Sequence, residues 1–203
     1  MKVIFSNYNF TPNWIKEYNF DYHIFDRSDS KEFLKDFPQD KITYVKNIGS
    51  DILDKFDWII SNYNNLPDVV LLSKSNLFKY ISEEEFNLVK DNKTFTPLHT
   101  KHHKTVMPIA YYREDGMYME KNNRWFLIGV PCRFVNEYDK LIGNKFKGQE
   151  YKPFSPGSNY ILPKENILKH PKEFYEKLRS FLEYEIYPGE AFLIERDLYN
   201  IWS

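Results

Sequence analysis

The sequence has one cysteine, Cys132, among its 203 residues, so no disulfide can form within the chain. One thiol also cannot build a cysteine-rich zinc site, and an isolated cysteine fits a reducing compartment. No apolar run approaches the ~20 residues that a membrane helix needs, and the N-terminal stretch becomes polar at Ser6, too early for a signal peptide. These absences predict a cytoplasmic protein with no integral membrane segment.

Neither positive nor negative charge is in excess. The chain has 28 Lys and Arg residues and 29 Asp and Glu residues, for a net charge of -1. The chain therefore has no overall attraction for nucleic acid, and we expect no nucleic-acid partner. Glycine-rich phosphate loops, nucleophile elbows and paired CxxC motifs are also absent. The length suits one domain, residues 1–203, with a substantial core.

The first seventy residues carry the pattern of an α/β fold. Four short apolar runs predict strands, at residues 3–5, 22–25, 42–45 and 69–72. Between the last two, apolar residues recur every three or four positions, which predicts a helix with Ser50 as its N-cap; they are Ile52, Phe56, Ile59 and Tyr63. A strand, a helix and a strand in this order predict a mainly parallel sheet flanked by helices.

The second half is less regular. A capping-box pattern, Ser82 to Glu85, predicts a short helix. Residues 118–120 and 125–130 suggest a hairpin, and residues 136–158 resemble a long irregular loop, a possible lid. Pro171 suits the first turn of a helix that the pair Pro188-Gly189 would break.

Three polar clusters follow the predicted strands, and ligands of open parallel sheets bind outside the carboxyl ends of the strands. The clusters contain Asn7, then Asp26, Arg27 and Ser28, then Asn47, Gly49 and Ser50. Asp26 suits a base or a ribose, and Arg27 or Ser28 suits phosphate. Gly49 would let backbone approach a ligand, and the helix start at Ser50 would present N–H groups to an anion. The alternative is that these are ordinary turn and cap residues.

Other candidate residues bear on phosphate and on proton transfer. Lys74 and Asn76 follow the fourth strand, where metal-dependent glycosyltransferases carry an Asp-x-Asp motif for Mn²⁺ or Mg²⁺. Since that motif is missing, we name no metal ligand and expect binding not to depend strictly on a divalent ion, with Lys74 offsetting phosphate charge directly. Mn²⁺ or Mg²⁺ as a cofactor is the alternative. Glu195 and Asp51 are the candidate catalytic carboxylates, and Arg196 is a further candidate phosphate ligand.

Three histidines, His99, His102 and His103, come closest to a metal cluster. Two of them are adjacent and point in different directions on any regular element, so a solvated or phosphate-facing patch is the favoured interpretation. Plainer alternatives exist for the phosphate and catalytic candidates. Lys74 would then be an ordinary lysine on a loop, and Glu195 and Arg196 would form a surface ion pair.

Several stretches together resemble a family of short glycosyltransferase-like proteins related to a domain of unknown function, DUF3431. The most specific is Asn62-Tyr63-Asn64-Asn65-Leu66-Pro67-Asp68-Val69-Val70. Asp26-Arg27-Ser28-Asp29, Asn47-Ile48-Gly49 and the tail from Asn159 through Pro171-Lys172-Glu173-Phe174-Tyr175 to Glu195-Arg196 continue the likeness. The chain departs from the family at two positions. Relatives tend to carry a bulkier or charged residue in place of Ser50 and a glycine in place of Ser75.

The resemblance implies a GT-A-like, Rossmann-like nucleotide-diphospho-sugar transferase. The implied reaction moves a sugar from a nucleotide-sugar donor to a hydroxyl of a glycan acceptor, in cell-surface polysaccharide synthesis. The alternative is a non-catalytic carbohydrate- or nucleotide-binding protein on a degenerate transferase scaffold.

Overall fold

The computed structural model describes residues 1–100 and 109–203. Those residues form nine strands: β1 (Lys2–Asn7), β2 (Asp21–Asp26), β3 (Ile42–Tyr44), β4 (Val69–Lys74), β5 (Thr96–Pro97), β6 (Ala110–Tyr112), β7 (Tyr118–Lys121), β8 (Tyr151–Pro153) and β9 (Tyr160–Pro163). The α-helices are α1 (Trp14–Glu17), α2 (Ser50–Asn62), α3 (Glu83–Val89), α4 (Val135–Tyr138), α5 (Asn144–Phe146), α6 (Lys164–Ile167), α7 (Lys172–Ser180) and α8 (Gly189–Trp202). Single turns of 3-10 helix and one π-helical turn, Asp139–Gly143, connect them.

A six-stranded sheet in the order β3-β2-β1-β4-β9-β5 organises the molecule. The four strands β1 to β4 are parallel, and β9 runs antiparallel between β4 and β5. The predicted α/β class, a mostly parallel sheet flanked by helices, is therefore confirmed. Strands β2 and β3 lie on one side of β1, and the next strand in the sequence, β4, lies on the other side of β1. The order thus reverses between β1 and β4, where ligands bind in doubly wound folds.

Both faces of this sheet are covered by apolar side chains. Val70 and Leu72 of β4 pack in the cluster that contains α2, α7 and α8, whereas Leu71 packs in the cluster on the opposite face. An uninterrupted apolar strand is what burial on two faces requires.

The first four predicted strands and the helix after Gly49 are present, and Phe56 of α2 is fully buried. The capping box of α3 is also confirmed, because Ser82 and Glu85 exchange both of the expected hydrogen bonds.

The predicted hairpin of residues 118–120 with 125–130 is wrong. β7 pairs instead with β6 and β8 in a separate three-stranded sheet. Residues Trp125–Leu127 form a 3-10 turn that follows Arg124, whose backbone is left-handed. The Trp125 indole donates to Glu120, so the chain folds back over β7 rather than pairing with it.

The predicted lid at 136–158 is also wrong. Residues 135–146 are helical, and Tyr138, Ile142 and Phe154 are buried. The region carries few alternating apolar residues, but its aromatic and aliphatic side chains pack under α8, which makes it part of the core.

The pair Pro188-Gly189 does not end a helix but begins one. α7 ends at Ser180, and Pro188 is the N-cap of α8. Pro has no N–H to satisfy, so it is well suited to a helix start, and the apolar stripe continues through Leu193, Ile194, Leu198 and Ile201. No helix in the described ranges is long and apolar enough to cross a membrane.

Candidate functional site

A cavity of about 230 Å³ lies at the carboxyl ends of β1 and β4, where the strand order reverses. Seven of the residues that the sequence nominated line it: Asn7, Arg27, Asn47, Ser50, Asp51, Lys74 and Asn76. The register explains part of this convergence, because β1 and β4 run in parallel with Ser6 opposite Lys74. The cavity is smaller than the ~300–1,000 Å³ of most ligand pockets, so it encloses only part of a larger ligand.

Asp51 is the centre of a buried charge network beneath this cavity. Its Oδ1 lies 3.3 Å from the Lys74 ammonium, and its Oδ2 accepts a bond from the Lys55 ammonium. The Ser158 hydroxyl donates to the same oxygen at 2.5 Å. Lys55 is fully buried, whereas the Lys74 side chain keeps 28% of its surface exposed. One carboxylate therefore neutralises two lysines, of which Lys74 faces the cavity.

These contacts shift the ionisation of the network. Burial alone would raise the pKa of Asp51, but the charges of Lys55 and Lys74 outweigh burial and hold the pKa well below its usual range. Burial alone would lower the pKa of Lys74, but Asp51 and Glu195 outweigh it and hold the pKa above its ordinary value. Both shifts favour the charged forms, a cationic Lys74 and an anionic Asp51 that accepts a proton poorly.

A turn that sequence reasoning did not select, Ser155–Asn159, joins this network to β4. The side chain of Asn159 accepts a bond from the Lys74 backbone N–H at 2.9 Å, and Ser158 contacts Asp51 and Lys55. Gly157 and Ser158 both have left-handed backbones. A Cβ atom at Gly157 would lie 2.7 Å from the Tyr80 ring, so only glycine permits this approach. The sequence of the 155–159 turn, rich in proline, glycine and serine, indicated a turn but did not indicate which residues the turn contacts.

Two buried acceptor atoms beside the cavity have no hydrogen-bond partner among the described residues. They are Oδ1 of Asn7 and Oδ2 of Asp26. The remaining atoms of these side chains are engaged, since the Asn7 amide N–H and the Ser28 hydroxyl donate to Oδ1 of Asp26 at 3.1 and 2.6 Å. Buried polar atoms are usually paired, so a ligand that donates hydrogen bonds would complete this pair.

Arg27 touches the cavity, but its guanidinium is committed elsewhere. It forms a two-bond pair with Asp54 at 2.6 Å for each bond and donates a third bond to the Ile48 carbonyl. Both side chains are buried, and the bidentate arrangement fixes the planar group. Arg27 therefore anchors α2 and the loop before it to the end of β2 rather than reaching into the cavity for phosphate.

The helix start at residues 49 and 50 differs from the sequence-based prediction. Gly49, not Ser50, is the N-cap, and both residues have left-handed backbones. Their N–H groups donate to the carbonyl groups of Glu185 and Ile186, so neither is directed at an anion. A Cβ atom at Gly49 would lie 2.8 Å from Leu53 and 3.0 Å from the Leu182 carbonyl. Glycine is required here for packing, and Gly49 is not part of the cavity wall.

Gly49→Val should therefore lower the free energy of unfolding by about 2–4 kcal/mol, from left-handed strain plus overpacking against Leu53. Chemical denaturation measures this loss. Gly129→Val is the matched control, because Gly129 also has a positive φ but no atom lies within 4 Å of the position that its Cβ would take. Equal losses in the two variants would show that crowding at Gly49 has no effect.

The two adjacent candidates on α8 have different surroundings. Glu195 accepts a bond from the Gly157 N–H at 2.9 Å and contributes negative charge at Lys74 and at Tyr80. Arg196 instead pairs with buried Glu120 at 2.6 Å and lies 3.8 Å over the Phe126 ring. Arg196 also lies 3.5 Å from the Glu195 carboxylate. Glu195 therefore acts electrostatically on Lys74 but does not line the cavity, and Arg196 does not line it either.

Aromatic side chains complete the cavity wall, and the sequence did not single them out. Tyr8 and Tyr187 are about half exposed at the rim, and Tyr80 lies deeper, its ring centre 5.6 Å from the Lys74 ammonium. Such rings offer flat surfaces for a base or a sugar.

His99 contacts the Tyr112 ring, while His102 and His103 lie outside the described residues. Within residues 1–100 and 109–203, no three His, Cys, Asp or Glu side chains are placed to hold a metal ion.

Comparison of the chain with protein-family models, with curated proteins and with solved structures finds no match in any of the three. The geometry of the cavity at the ends of β1 and β4 is therefore the basis on which function is assigned.

Proposed function

We propose that the protein is a glycosyltransferase of GT-A-like architecture that moves a sugar from a nucleotide-sugar donor to a hydroxyl of a glycan, in cell-surface polysaccharide synthesis. The observation that carries this proposal is the placement of the Lys74 ammonium at the switch point between β1 and β4, 3.3 Å from Asp51 and facing the cavity. A fixed cation there suits the diphosphate of such a donor.

The donor would use both ends of the site. Its ribose hydroxyls or base N–H groups supply the hydrogen bonds that Asn7 and Asp26 lack. Its diphosphate lies against Lys74 and Asn76, which both line the cavity. Because the cavity encloses only about 230 Å³, the base would extend to the open rim beside Tyr187.

The transfer step needs a base for the acceptor and charge compensation for the leaving group. The acceptor oxygen forms a bond to C1 of the sugar while the bond from C1 to the phosphate oxygen breaks. Its electron pair leaves with the nucleoside diphosphate, whose negative charge Lys74 stabilises. The acceptor's proton passes to the Glu195 carboxylate, which the Gly157 N–H and an ion pair with the Arg196 guanidinium at 3.5 Å hold in place. Asp51 positions Lys74 and Lys55 and takes no proton.

Lys74→Ala tests the diphosphate contact. A charge-assisted hydrogen bond contributes about 1.5–3 kcal/mol, so the variant should bind nucleoside diphosphates roughly 10- to 150-fold more weakly, as measured by calorimetry. Lys46→Ala is the matched control, since Lys46 is exposed and does not line the cavity. Binding by the parent should persist in EDTA. Loss of binding in EDTA, combined with full binding by Lys74→Ala, would refute the metal-free interpretation.

One observation favours the alternative, a non-catalytic nucleotide- or carbohydrate-binding protein. Arg196, nominated as a second phosphate ligand, is held by Glu120 away from the cavity, which leaves Lys74 to neutralise the diphosphate. Nucleotide binding without any sugar transfer, across a panel of donors and acceptors, would select this alternative.

A further inference from the structure

A second cavity, of about 200 Å³, shares the lining residue Tyr80 with the first. Three tyrosine rings line it, Tyr80, Tyr112 and Tyr118. The His99 ring and the side chains of Lys79 and Thr100 also line it. Tyr112 and Tyr118 contact each other edge-to-face with ring centres 5.5 Å apart. Aromatic surfaces with a few polar groups are typical of small-molecule sites.

The turn that organises the first cavity also borders the second. Pro156 lines the second cavity, and the next residue, Gly157, packs on Tyr80 and donates to Glu195. Glu195 therefore stands near both cavities. Its charge, after burial and Glu120, contributes to raising the pKa of Tyr118 to about 12, and it also acts on Lys74 in the first cavity.

We propose that this second cavity binds one sugar ring of the glycan acceptor, stacked on Tyr112. The inference rests on the proposed function, because it makes the cavity the acceptor subsite of that reaction. Three features support a sugar ring. Tyrosine combines an apolar face, suited to the C–H groups of a pyranose, with a hydroxyl that hydrogen-bonds its rim. The volume suits one ring rather than an oligosaccharide. The shared Tyr80 places any occupant beside the donor cavity and Glu195.

A nucleotide base is the competing occupant of the second cavity, since bases also stack on tyrosine. The first cavity already offers the unpaired acceptor of Asn7, which is hydrogen-bonded to Asp26, and the rim rings of Tyr8 and Tyr187, which suit the nucleoside. Among the described residues that line the second cavity there is no side-chain carboxylate or amide. The sugar is therefore the better fit there.

The experiment compares saccharide and nucleotide binding in the full chain. Cellobiose, lactose, chitobiose and maltose are tested by saturation-transfer NMR, and UDP, GDP, CDP and dTDP by calorimetry. The variants are Tyr112→Ala and Tyr112→Leu, of which the second keeps apolar bulk if the first unfolds. Tyr112→Phe keeps the ring. Tyr111→Ala is the matched control, because adjacent residues of β6 point to opposite faces and Tyr111 is exposed.

We expect at least one disaccharide to bind the parent, with about tenfold weaker binding in Tyr112→Ala and Tyr112→Leu. Tyr111→Ala should change saccharide affinity by less than twofold, and all nucleotide affinities should change by less than twofold. Tyr112→Phe, which keeps the ring and loses the hydroxyl, should lose less saccharide affinity than Tyr112→Leu. Failure of every disaccharide to bind, or equal binding by Tyr112→Ala and Tyr112→Leu, overturns the acceptor site and leaves the proposed function standing if a nucleotide binds. Weakened nucleotide binding in both Tyr112 variants also overturns it, in favour of a base. If saccharides bind as expected but no nucleotide binds, the saccharide site is supported and the transferase function is overturned.

Discussion

Glu195→Gln is expected to slow sugar transfer by roughly 10²–10⁴-fold, the usual contribution of a general base. Glutamine keeps the shape of the side chain and can still accept the bond from the Gly157 N–H through its carbonyl oxygen. It cannot take a proton from the acceptor hydroxyl. Transfer is measured as release of nucleoside diphosphate from the donor that binds best.

Binding distinguishes a chemical role from a structural one. Nucleoside-diphosphate affinity and thermal stability should stay near those of the parent, because the network around Asp51 does not depend on a direct bond to Glu195. Glu165→Gln, on α6, is the matched control and should leave transfer unchanged. A Glu195→Gln variant that retains more than a tenth of the parent's rate would show that another group activates the acceptor.

The cavity's place in the sheet was predictable from local sequence. Each of the first strands is a short apolar run that ends in polar residues, and parallel strands bring their carboxyl ends to one edge. Asn7 and Lys74 were therefore nominated from strand ends alone, and both line the cavity. The parallel arrangement was predictable from the strand, helix and strand pattern around α2 alone. The apolar stripe through Phe56 identifies that helix in the sequence.

The Ser155–Asn159 turn was not predictable, because its partners are distant in sequence. Ser158 contacts Asp51 across 107 residues, and nothing in a turn sequence specifies such a contact. The same holds for Lys55. Its position on the apolar face of α2 is recognisable, but the counter-ion that makes its burial tolerable is visible only once the fold is known.

The role of Arg196 was misjudged for a geometric reason. Glu195 and Arg196 are neighbours in sequence, but consecutive residues of a helix point about 100° apart. Without knowledge that α8 exists, the two appeared to act on one ligand. In the helix, Glu195 accepts a bond from Gly157, whereas Arg196 pairs with Glu120 at 2.6 Å and packs on the Phe126 ring; the two also form an ion pair with each other at 3.5 Å.

Asp51→Asn should lower the free energy of unfolding by about 3–5 kcal/mol, because it leaves the Lys55 ammonium buried without its counter-ion. The Lys55 side chain is 1% exposed, so water cannot replace the lost carboxylate. Chemical denaturation at pH 7 measures the loss. The double variant Asp51→Asn with Lys55→Gln removes both buried charges and should recover part of it. Asp68→Asn, which breaks an exposed pair with Lys164, is the matched control and should change stability little.

The same substitution should also flatten the acid side of the stability profile. The pKa of Asp51 is held far below that of an unfolded aspartate, about 3.9, so its contribution to stability is complete only above about pH 5. As the pH falls below about 5, the unfolded chain takes up a proton at this position before the folded protein does, and the contribution is progressively lost. Parent stability should therefore decline more steeply below pH 4 than that of Asp51→Asn. If both proteins lose stability in parallel over that range, Asp51 is not the ionised centre of the network, and the fixed positive charge assigned to Lys74 loses its support.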